Sequence, residues 1–318
     1  MMFLSVVVPC YNEENGIEKF YSEVLKYIKM DKIISKYEFI FIDDGSSDKS
    51  LDKMKELRKK DPNVRYISFS RNFGKEAGIY AGLRASLGEL TVLMDADLQH
   101  PPELINRMSQ LIVYEGYDSV GTVRENRKGE CKFRSFLSNL FYSLINSISD
   151  TYIEANSTDY RMMNRKFLDS VLALSEYNRF TKGIFSWVGY KNATLKFSNV
   201  ERETDKSKWS IFKLFKYSLE GIISFSTAPL VVSSILGILS FAVAIIMLIV
   251  FLFKFLVVGE SVKGFPTIIC TIFFLGGIQL LSIGILGQYF SKAYLEIKNR
   301  PIYIASECSD EDAEKIVF

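Results

Sequence analysis

Histidine and closely spaced cysteines are nearly absent from this 318-residue sequence. His100 is the single histidine, and no CxxC motif or Cys/His cluster occurs. A zinc site is therefore not expected, and a Ser-His-Asp or Cys-His triad is excluded unless His100 carries it. The cysteines are far apart and are expected to be reduced residues of a cytosolic domain: Cys10, Cys131, Cys270 and Cys308.

The chain also lacks an excess of either charge and two common nucleotide-binding motifs. It has 39 Lys and Arg residues against 37 Asp and Glu residues. A general nucleic-acid binder is usually strongly basic, so no nucleic-acid partner is expected. Neither GxGxxG nor GxxxxGK[ST] occurs, which argues against a dinucleotide-binding Rossmann site and a P-loop NTPase. Residues 1–9 have no basic or long apolar character, so no signal peptide is expected.

The first part of the chain alternates short apolar runs with helical patterns. This alternation is typical of an α/β protein with a doubly wound, mainly parallel sheet. The predicted strands are residues 5–9, 39–43, 64–69, 90–95 and 118–123, and the predicted helices are residues 15–30, 47–60, 74–87 and 102–114.

Polar, mostly acidic clusters follow three of these strands. Ligands of such sheets bind at the carboxyl ends of the strands, where three acidic clusters would be costly without a cation or sugar nucleotide to complement them. In the third cluster two carboxylates stand at i and i+2, and Gln99 continues the alternation, so hard oxygen ligands are available for Mg²⁺ or Mn²⁺. An isolated Asp-x-Asp is more often a solvated turn, and this alternative stays open. The clusters are Tyr11-Asn12-Glu13, Asp43-Asp44 and Asp95-Ala96-Asp97.

Long apolar stretches are confined to the last third of the chain. Residues 229–253 and 265–290 are uncharged, and each stretch is long enough to cross a bilayer of roughly 30 Å. We therefore predict two transmembrane helices. Two spans place both chain termini on the same side of the membrane. Positive charge after the second stretch makes that side cytoplasmic, so both termini of this inner-membrane protein are expected in the cytoplasm. The flanking charges are Lys292, Lys298 and Arg300.

Other segments around the predicted spans have helical or tail-like patterns. Residues 132–149 form an amphipathic pattern that suits either a core-facing helix or a helix lying on the membrane. Residues 207–228 are predicted to be a juxtamembrane amphipathic helix. Residues 291–318 are predicted to be a cytosolic tail that is acidic and mobile from residue 306 onward. Glycines in the second span suit close helix packing and a homo-oligomer: Gly276, Gly277 and Gly284.

Taken together, the motifs resemble those of family 2 glycosyltransferases, which have the GT-A fold. Within that family the chain is similar to the polyprenyl-phosphate glycosyltransferases, namely dolichol-phosphate mannose synthase and the bacterial bactoprenol glucosyltransferases. The resemblance covers nearly the whole chain and implies a GT-A catalytic domain over residues 1–206. The matching segments are VVVPCYNEE (6–14), FIDDGSSD (41–48), SRNFGKEAG (70–78), MDADLQHPPE (94–103), STDYRMMNR (157–165), ERETDKSKW (201–209) and RPIY (300–303).

The resemblance implies a nucleotide-sugar site and a metal site. Lys75 would lie near the ribose and diphosphate, although a surface lysine at a helix start is the alternative. Asp97 with Gln99 would hold Mg²⁺ or Mn²⁺, and Asp95 would contact the donor beside the metal. The full set implied for the nucleotide sugar is Pro9, Tyr11, Asn12, Glu13, Asp43, Asp44, Lys75, Asp95, Ala96 and Asp97.

A second group of residues is implied for the acceptor. Asp159 matches the position of the catalytic carboxylate, with a structural Asp in a turn as the alternative. Five basic residues are candidates for binding the acceptor or diphosphate, although any one of them could instead be solvated or face lipid headgroups. These residues are Arg124, Arg127, Arg134, Arg202 and Lys206.

The implied reaction is inverting transfer of a hexose from a nucleoside diphosphate sugar to a polyprenyl phosphate, such as undecaprenyl phosphate, at the cytosolic membrane face. Glucose and UDP are favoured, and the product would be a lipid-linked donor for cell-envelope glycan modification. One alternative is a processive polysaccharide synthase of the same family, but the sequence has no QxxRW motif and two spans are few for a polymer channel. Another is a non-catalytic membrane scaffold, which would be expected to lose its acidic residues.

Overall fold

The central element of the molecule is one mixed β-sheet. The structure is a computed structural model that describes residues 1–124, 157–197, 228–253 and 264–309. Within these residues the sheet has eight strands: β1 (Met2–Cys10), β2 (Ile34–Asp43), β3 (Val64–Phe69), β4 (Leu90–Leu93), β5 (Ser119–Arg124), β6 (Ser157–Asn164), β7 (Asn192–Phe197) and β8 (Ala305–Cys308). Their order in the sheet is β7-β5-β6-β4-β1-β2-β3-β8.

The middle of the sheet is parallel and its outer parts are mixed. Strands β4, β1, β2 and β3 all run in the same direction. Their carboxyl ends therefore meet at one edge, which is where open α/β sheets bind ligands. Strand β6 is antiparallel to both β4 and β5, so the beginning of β6 lies at the same edge as the end of β4.

Helices cover both faces of this sheet. Successive residues of a buried strand point to opposite faces, and β1 shows the consequence: Val6 and Val8 pack into one core, and Val7 packs into the other. The first core contains residues of α1, α2 and α4, and the second contains residues of α3, α5 and α6. The doubly wound α/β fold is therefore confirmed. The helices are α1 (Ile17–Met30), α2 (Ser50–Lys60), α3 (Lys75–Ala85), α4 (Leu104–Glu115), α5 (Arg165–Ala173) and α6 (Thr181–Trp187).

Helix α3 lies unusually close to the centre of the sheet. A Cβ atom added at Gly82 would stand 2.3 Å from Cγ1 of Val7 on β1. Only a residue without a side chain allows this approach, and the approach brings the first residue of α3, Lys75, to the carboxyl edge of the sheet.

Two long apolar helices follow, α7 (Ala228–Phe253) and α8 (Phe265–Ile297). They pack against each other, and segments of both are long and apolar enough to span a membrane. Their large side chains are exposed where those of the sheet are buried. The two predicted apolar helices are therefore present, and α8 continues seven residues beyond the predicted end at 290.

The chain after α8 returns to the sheet. Strand β8 pairs with β3 in antiparallel orientation, and Tyr303 is buried against Phe69 with ring centroids 4.8 Å apart. Glu307 accepts hydrogen bonds from Lys55 Nζ at 2.7 Å and Tyr66 Oη at 2.8 Å. The prediction of a mobile tail from residue 306 is therefore wrong for residues 306–308, because the open edge of β3 supplies backbone partners. We call residues 298–309 the return segment.

Several predicted segments fall outside the described residues. The amphipathic helix at 132–149 does so entirely, as does the juxtamembrane helix at 207–228 except for its last residue. Residues 310–318 of the predicted tail are likewise not described. These assignments stay predictions.

Candidate active site

A cleft of about 380 Å³ opens at the carboxyl ends of β1 and β4. It is formed by the loop after β1, the turn before α3 and the loop after β4. Most residues predicted for the nucleotide sugar line it together. The lining residues are Pro9, Cys10, Tyr11, Glu13, Asp44, Asn72, Gly74, Lys75, Gly78, Asp95, Ala96 and Asp97.

Two predicted residues, Asn12 and Asp43, shape the loops behind this lining. Asn12 has a positive φ of 56°, and its side-chain oxygen accepts the Ser47 N–H at 2.9 Å. The Asp43 carboxylate accepts the Ser46 N–H at 3.0 Å and the Ser68 hydroxyl at 2.7 Å, and the residue is 2% exposed. These hydrogen bonds fix the loops after β1 and β2, and a direct contact of either residue with a ligand stays a prediction.

Asp44 organises the turn that leads into α3. Its carboxylate accepts the Phe73 N–H at 2.6 Å and the Gly74 N–H at 2.9 Å. Gly74 has a φ of 99°, which a side-chain-bearing residue rarely adopts. Burial raises the pKa of Asp44, although these hydrogen bonds oppose that effect. The result is a fixed entry to α3 that holds Lys75 in the cleft.

Asp95 lies just beyond the end of β4, and Asp159 lies near the start of β6, at the same edge of the sheet. The register pairs Leu93, the last residue of β4, with Arg161, so the chain after β4 and the first residues of β6 meet at that edge. Lys75 bridges them, with its Nζ 2.7 Å from Asp95 Oδ1 and 2.5 Å from Asp159 Oδ2. The carboxylate predicted to be catalytic therefore lies at the margin of the cleft, joined to it by one lysine.

The opposite charges at this margin stabilise each other's ionised form. Burial alone would raise the pKa of Asp159, but the nearby Lys182 and Lys75 outweigh it, so the pKa of Asp159 is lowered. Burial alone would lower the pKa of Lys75, but Asp159 and Asp95 raise it. Asp159 and Lys75 are therefore both charged at neutral pH.

Asp95 and Asp97 are the residues that fit a divalent cation. Both carboxylates line the cleft, and hard oxygen ligands that leave room for substrate phosphates suit Mg²⁺ or Mn²⁺. Within the described ranges, no three His, Cys, Asp or Glu side chains are grouped closely enough to hold a metal by themselves. A cation there would need oxygens from the bound diphosphate or from water.

Gln99, the third predicted ligand, points elsewhere. The alternation argument assumes an extended backbone, but Leu98 between the two residues has a φ of 55°. The chain turns there, so that the Gln99 N–H donates to Asp97 Oδ1 at 3.1 Å and Gln99 Oε1 accepts from Arg124 at 3.1 Å. Gln99 thus orients Asp97, and its role as a metal ligand stays a prediction from the family resemblance.

The single histidine packs as a core residue. His100 is 2% exposed and stacks on Tyr160 with ring centroids 5.3 Å apart, and Phe197 meets the His100 ring edge-on. Burial lowers the pKa of His100. Neither ring nitrogen has a hydrogen-bond partner in the part of the chain that the structure describes, so no triad is formed there through His100.

Three residues that the sequence analysis did not single out also reach this site. Lys182, on α6, has its Nζ 4.0 Å from Asp159 Oδ1. The Thr181 N–H donates a hydrogen bond to Glu76 Oε2 at 3.0 Å, and the Thr181 hydroxyl donates a second one to the same oxygen. No short motif marks these contacts, because each joins residues of different secondary-structure elements.

Of the five basic residues predicted to bind the acceptor or diphosphate, one lies in the described part of the chain. Arg124 lies at the end of β5 and contacts Gln99 as described above. Arg127, Arg134, Arg202 and Lys206 lie outside the described residues, so their contacts with an acceptor or a diphosphate stay predictions.

Comparisons with known proteins add to this geometry. The family model described as Glycosyl transferase family 2 matches residues 5–172. CsbB of Bacillus subtilis (strain 168) is 41% identical over 306 residues, which cover 96% of this chain and 92% of that protein. An SfII prophage-derived bactoprenol glucosyl transferase of Shigella flexneri is 38% identical over 303 residues, which cover 95% of this chain and 97% of that protein. The family expected from the motifs is confirmed.

A more distant likeness exists among solved structures. Glucosyl-3-phosphoglycerate synthase from Mycobacterium tuberculosis, in complex with Mn²⁺, UDP-glucose and phosphoglyceric acid, is 19% identical, with a TM-score of 0.45. The alignment covers 70% of this chain and 78% of that chain.

Proposed function

Because the chain belongs to glycosyl transferase family 2, we propose that it transfers a hexose from a nucleoside diphosphate sugar to a polyprenyl phosphate at the cytosolic face of the cell membrane. Glucose, UDP and undecaprenyl phosphate are the favoured substrates, since a relative that matches 95% of the chain is named a bactoprenol glucosyl transferase. The observation that carries the proposal is the position of Asp159, which lies near Asp95 at the margin of the cleft and shares Lys75 with it.

The donor binds in the cleft. The loop after β1 supplies Pro9, Tyr11 and Glu13 for the base and ribose, and Lys75 faces the diphosphate. A divalent cation held by Asp95 and Asp97 would neutralise the charge that develops on the diphosphate as it leaves. The fixed loops mean that these groups are in place before the donor arrives, which lowers the ordering cost of binding.

The transfer itself needs no strong base. A phosphate monoester has a second pKa of about 6 and is mostly dianionic at neutral pH. One of its oxygens attacks the anomeric carbon from the face opposite the diphosphate. The new carbon–oxygen bond forms as the bond to the diphosphate breaks, and the nucleoside diphosphate leaves with that electron pair, so the configuration inverts.

Asp159 is suited to orientation more than to proton removal. Its lowered pKa makes it a weak base, and the acceptor has little need of one. The main difficulty is to bring a dianion beside Asp159, Asp95 and the diphosphate. Fixed lysines reduce this repulsion, and alignment of the attacking oxygen contributes much of the remaining acceleration.

The two apolar helices would hold the active site at the membrane surface, where the acceptor phosphate lies. A polyprenyl phosphate keeps its tail in the bilayer and presents only its phosphate at the surface, so the active site must be held at headgroup height. Helices α7 and α8 are long and apolar enough to do this, and in this arrangement both termini are cytosolic. A homo-oligomer formed through the glycines of α8 is compatible with the same arrangement.

The test uses the full chain in membranes or nanodiscs with undecaprenyl phosphate and one labelled sugar nucleotide at a time. The donors are UDP-glucose, UDP-galactose, UDP-N-acetylglucosamine and GDP-mannose. We expect chloroform-soluble label, most from UDP-glucose, that depends on undecaprenyl phosphate and is lost with EDTA and restored by Mg²⁺ or Mn²⁺. Insoluble polymer would indicate a polysaccharide synthase, and no transfer from any donor would indicate a scaffold. Either result contradicts the proposal.

A further inference from the structure

The two carboxylate oxygens of Asp159 face two different lysines. Oδ2 is 2.5 Å from Lys75 Nζ, and Oδ1 is 4.0 Å from Lys182 Nζ. Lys75 lines the donor cleft, but Lys182 is not among its lining residues. Asp159 therefore separates a donor side, marked by Lys75, from a second side, marked by Lys182.

Lys182 retains more capacity to bind an anion than Lys75 does. Lys75 lies within 2.7 Å of two carboxylates. In the described part of the chain, Lys182 donates to the Ser157 carbonyl at 2.9 Å, and its one nearby carboxylate is at 4.0 Å. An ammonium group has three donors, and the Lys182 side chain is 25% exposed, so an anion can approach it.

Glu76 holds Lys182 in this position. Glu76 directly follows Lys75 on α3, and it accepts both the N–H and the hydroxyl of Thr181, the first residue of α6. Thr181 is 1% exposed, so this contact is buried. Burial raises the pKa of Glu76, and the bonds from Thr181 oppose that effect. The Glu76–Thr181 contact therefore joins α3 to α6. The residue next to each of them, Lys75 and Lys182, has its ammonium group near Asp159.

The same segment is attached to the membrane side of the molecule. Glu296, in the last turn of α8, accepts the Tyr177 N–H at 2.9 Å and the Asn178 N–H at 3.3 Å. An extended chain covers at most about 3.6 Å per residue, so Lys182 is within about 14 Å of Asn178 along the backbone. The second side of Asp159 is therefore connected to the end of α8 by a short segment of chain.

We propose that Lys182 binds the phosphate of the acceptor and that Glu76, through Thr181, is its positioning residue. The proposal rests on the proposed function, since it takes the acceptor to be a lipid-linked phosphate. Lys182 offsets the repulsion between the incoming dianion and Asp159, and Lys75 serves the donor diphosphate on the other side. The two lysines thus divide the two phosphate-bearing substrates between them.

The first experiment compares KM for the two substrates in Lys182→Met and Lys182→Arg. We expect Lys182→Met to raise the KM for undecaprenyl phosphate at least tenfold and to leave the KM for the sugar nucleotide within twofold. Lys182→Arg, which keeps the charge, should recover most of the loss. Lys191→Met is the matched control, because Lys191 is an exposed lysine that donates to the Glu115 carbonyl away from the site. An unchanged acceptor KM, or an equal rise in both KM values, would overturn the assignment.

Glu76 is tested by the same separation of the two KM values. Glu76→Ala should raise the acceptor KM several-fold at unchanged donor KM, and Glu76→Gln, which keeps an oxygen to accept the Thr181 N–H, should recover part of it. A merely structural role would lower the melting temperature and affect both substrates alike. That result would remove Glu76 from the proposal.

A protection experiment on the wild-type chain does not depend on whether a variant folds. Lysines are modified with an amine-reactive reagent in detergent and quantified by mass spectrometry. Undecaprenyl phosphate should slow the labelling of Lys182 at least threefold, and undecaprenol, which has no phosphate, and UDP should not. Equal labelling with and without undecaprenyl phosphate would refute the inference, provided that the wild type makes the lipid-linked product. A wild type that makes no such product would refute the proposed function itself.

Discussion

The two sides of Asp159 are built differently. On the donor side, loops after β1, β2 and β4 are fixed by hydrogen bonds between side chains and nearby backbone, such as those that Asp44 accepts from the turn before α3. On the second side, which we propose to be the acceptor side, the contacts join distant elements. Lys182 of α6 lies near Asp159 of β6, and Glu296 of α8 accepts a hydrogen bond from Tyr177. The donor side is therefore preorganised by the loops that follow the strands, and the proposed acceptor side depends on the attachment of the segment before α6 to the end of α8.

Asp159 belongs to both sides, so its replacement should have the largest effect. Asp159→Asn removes the charge that holds Lys75 and Lys182, and misplaced reacting groups typically cost on the order of 100-fold in rate. We expect transfer to fall about 100-fold or more, with UDP affinity measured by calorimetry changed by less than about threefold. Asp169→Asn, at an exposed aspartate paired with Arg165, is the control. Near-normal turnover of a folded Asp159→Asn protein would show that the catalytic assignment is wrong.

A change confined to the donor side should raise the KM for the sugar nucleotide and leave the KM for the acceptor nearly unchanged. In Asp44→Asn the turn loses a carboxylate that accepts two backbone N–H groups, and hydrogen bonds to charged groups contribute about 1.5–3 kcal/mol. We expect the KM for the sugar nucleotide to rise about tenfold, with the KM for undecaprenyl phosphate within twofold, which is the reverse of the pattern for Lys182→Met. Steady-state kinetics with each substrate varied in turn measures this. Equal increases in both values would mean that the two sides are one site.

The sequence predicts the donor side well because its contacts are short in sequence or lie at the ends of parallel strands. Once apolar runs identify β1, β2 and β4, the residues after them must share one edge, and Tyr11, Asp44 and Asp95 do line one cleft. At Gln99 the backbone departs from the extended alternation for a local reason, since the positive φ of Leu98 turns the chain there. The role of Gln99 as a metal ligand stays a prediction.

The acceptor side could not be predicted in the same way. Nothing in the sequence near Lys182 indicates that α6 is attached to Glu76 and that the segment before it is attached to Glu296. Strand β8 was missed for a related reason. Its four residues, Ala305–Cys308, include two polar side chains and have no apolar alternation, and they are ordered by the open edge of β3. The structure of such segments is determined by tertiary contacts and not by local propensity.

The smallest expected effect concerns the attachment between α8 and the segment before α6. Glu296→Gln keeps an oxygen that can accept one N–H but removes the charge that binds Tyr177 and Asn178. A change of this kind is worth about 1 kcal/mol, so we expect the KM for undecaprenyl phosphate to rise at most about fivefold and the donor KM to stay constant. Glu307→Gln is the control, because the hydrogen bonds of Glu307 attach the return segment to Lys55 of α2 and Tyr66 of β3. If Glu307→Gln raised the acceptor KM as much as Glu296→Gln, the end of α8 and the return segment would act on the acceptor KM together, and the specific attachment at Tyr177 would have no separate role.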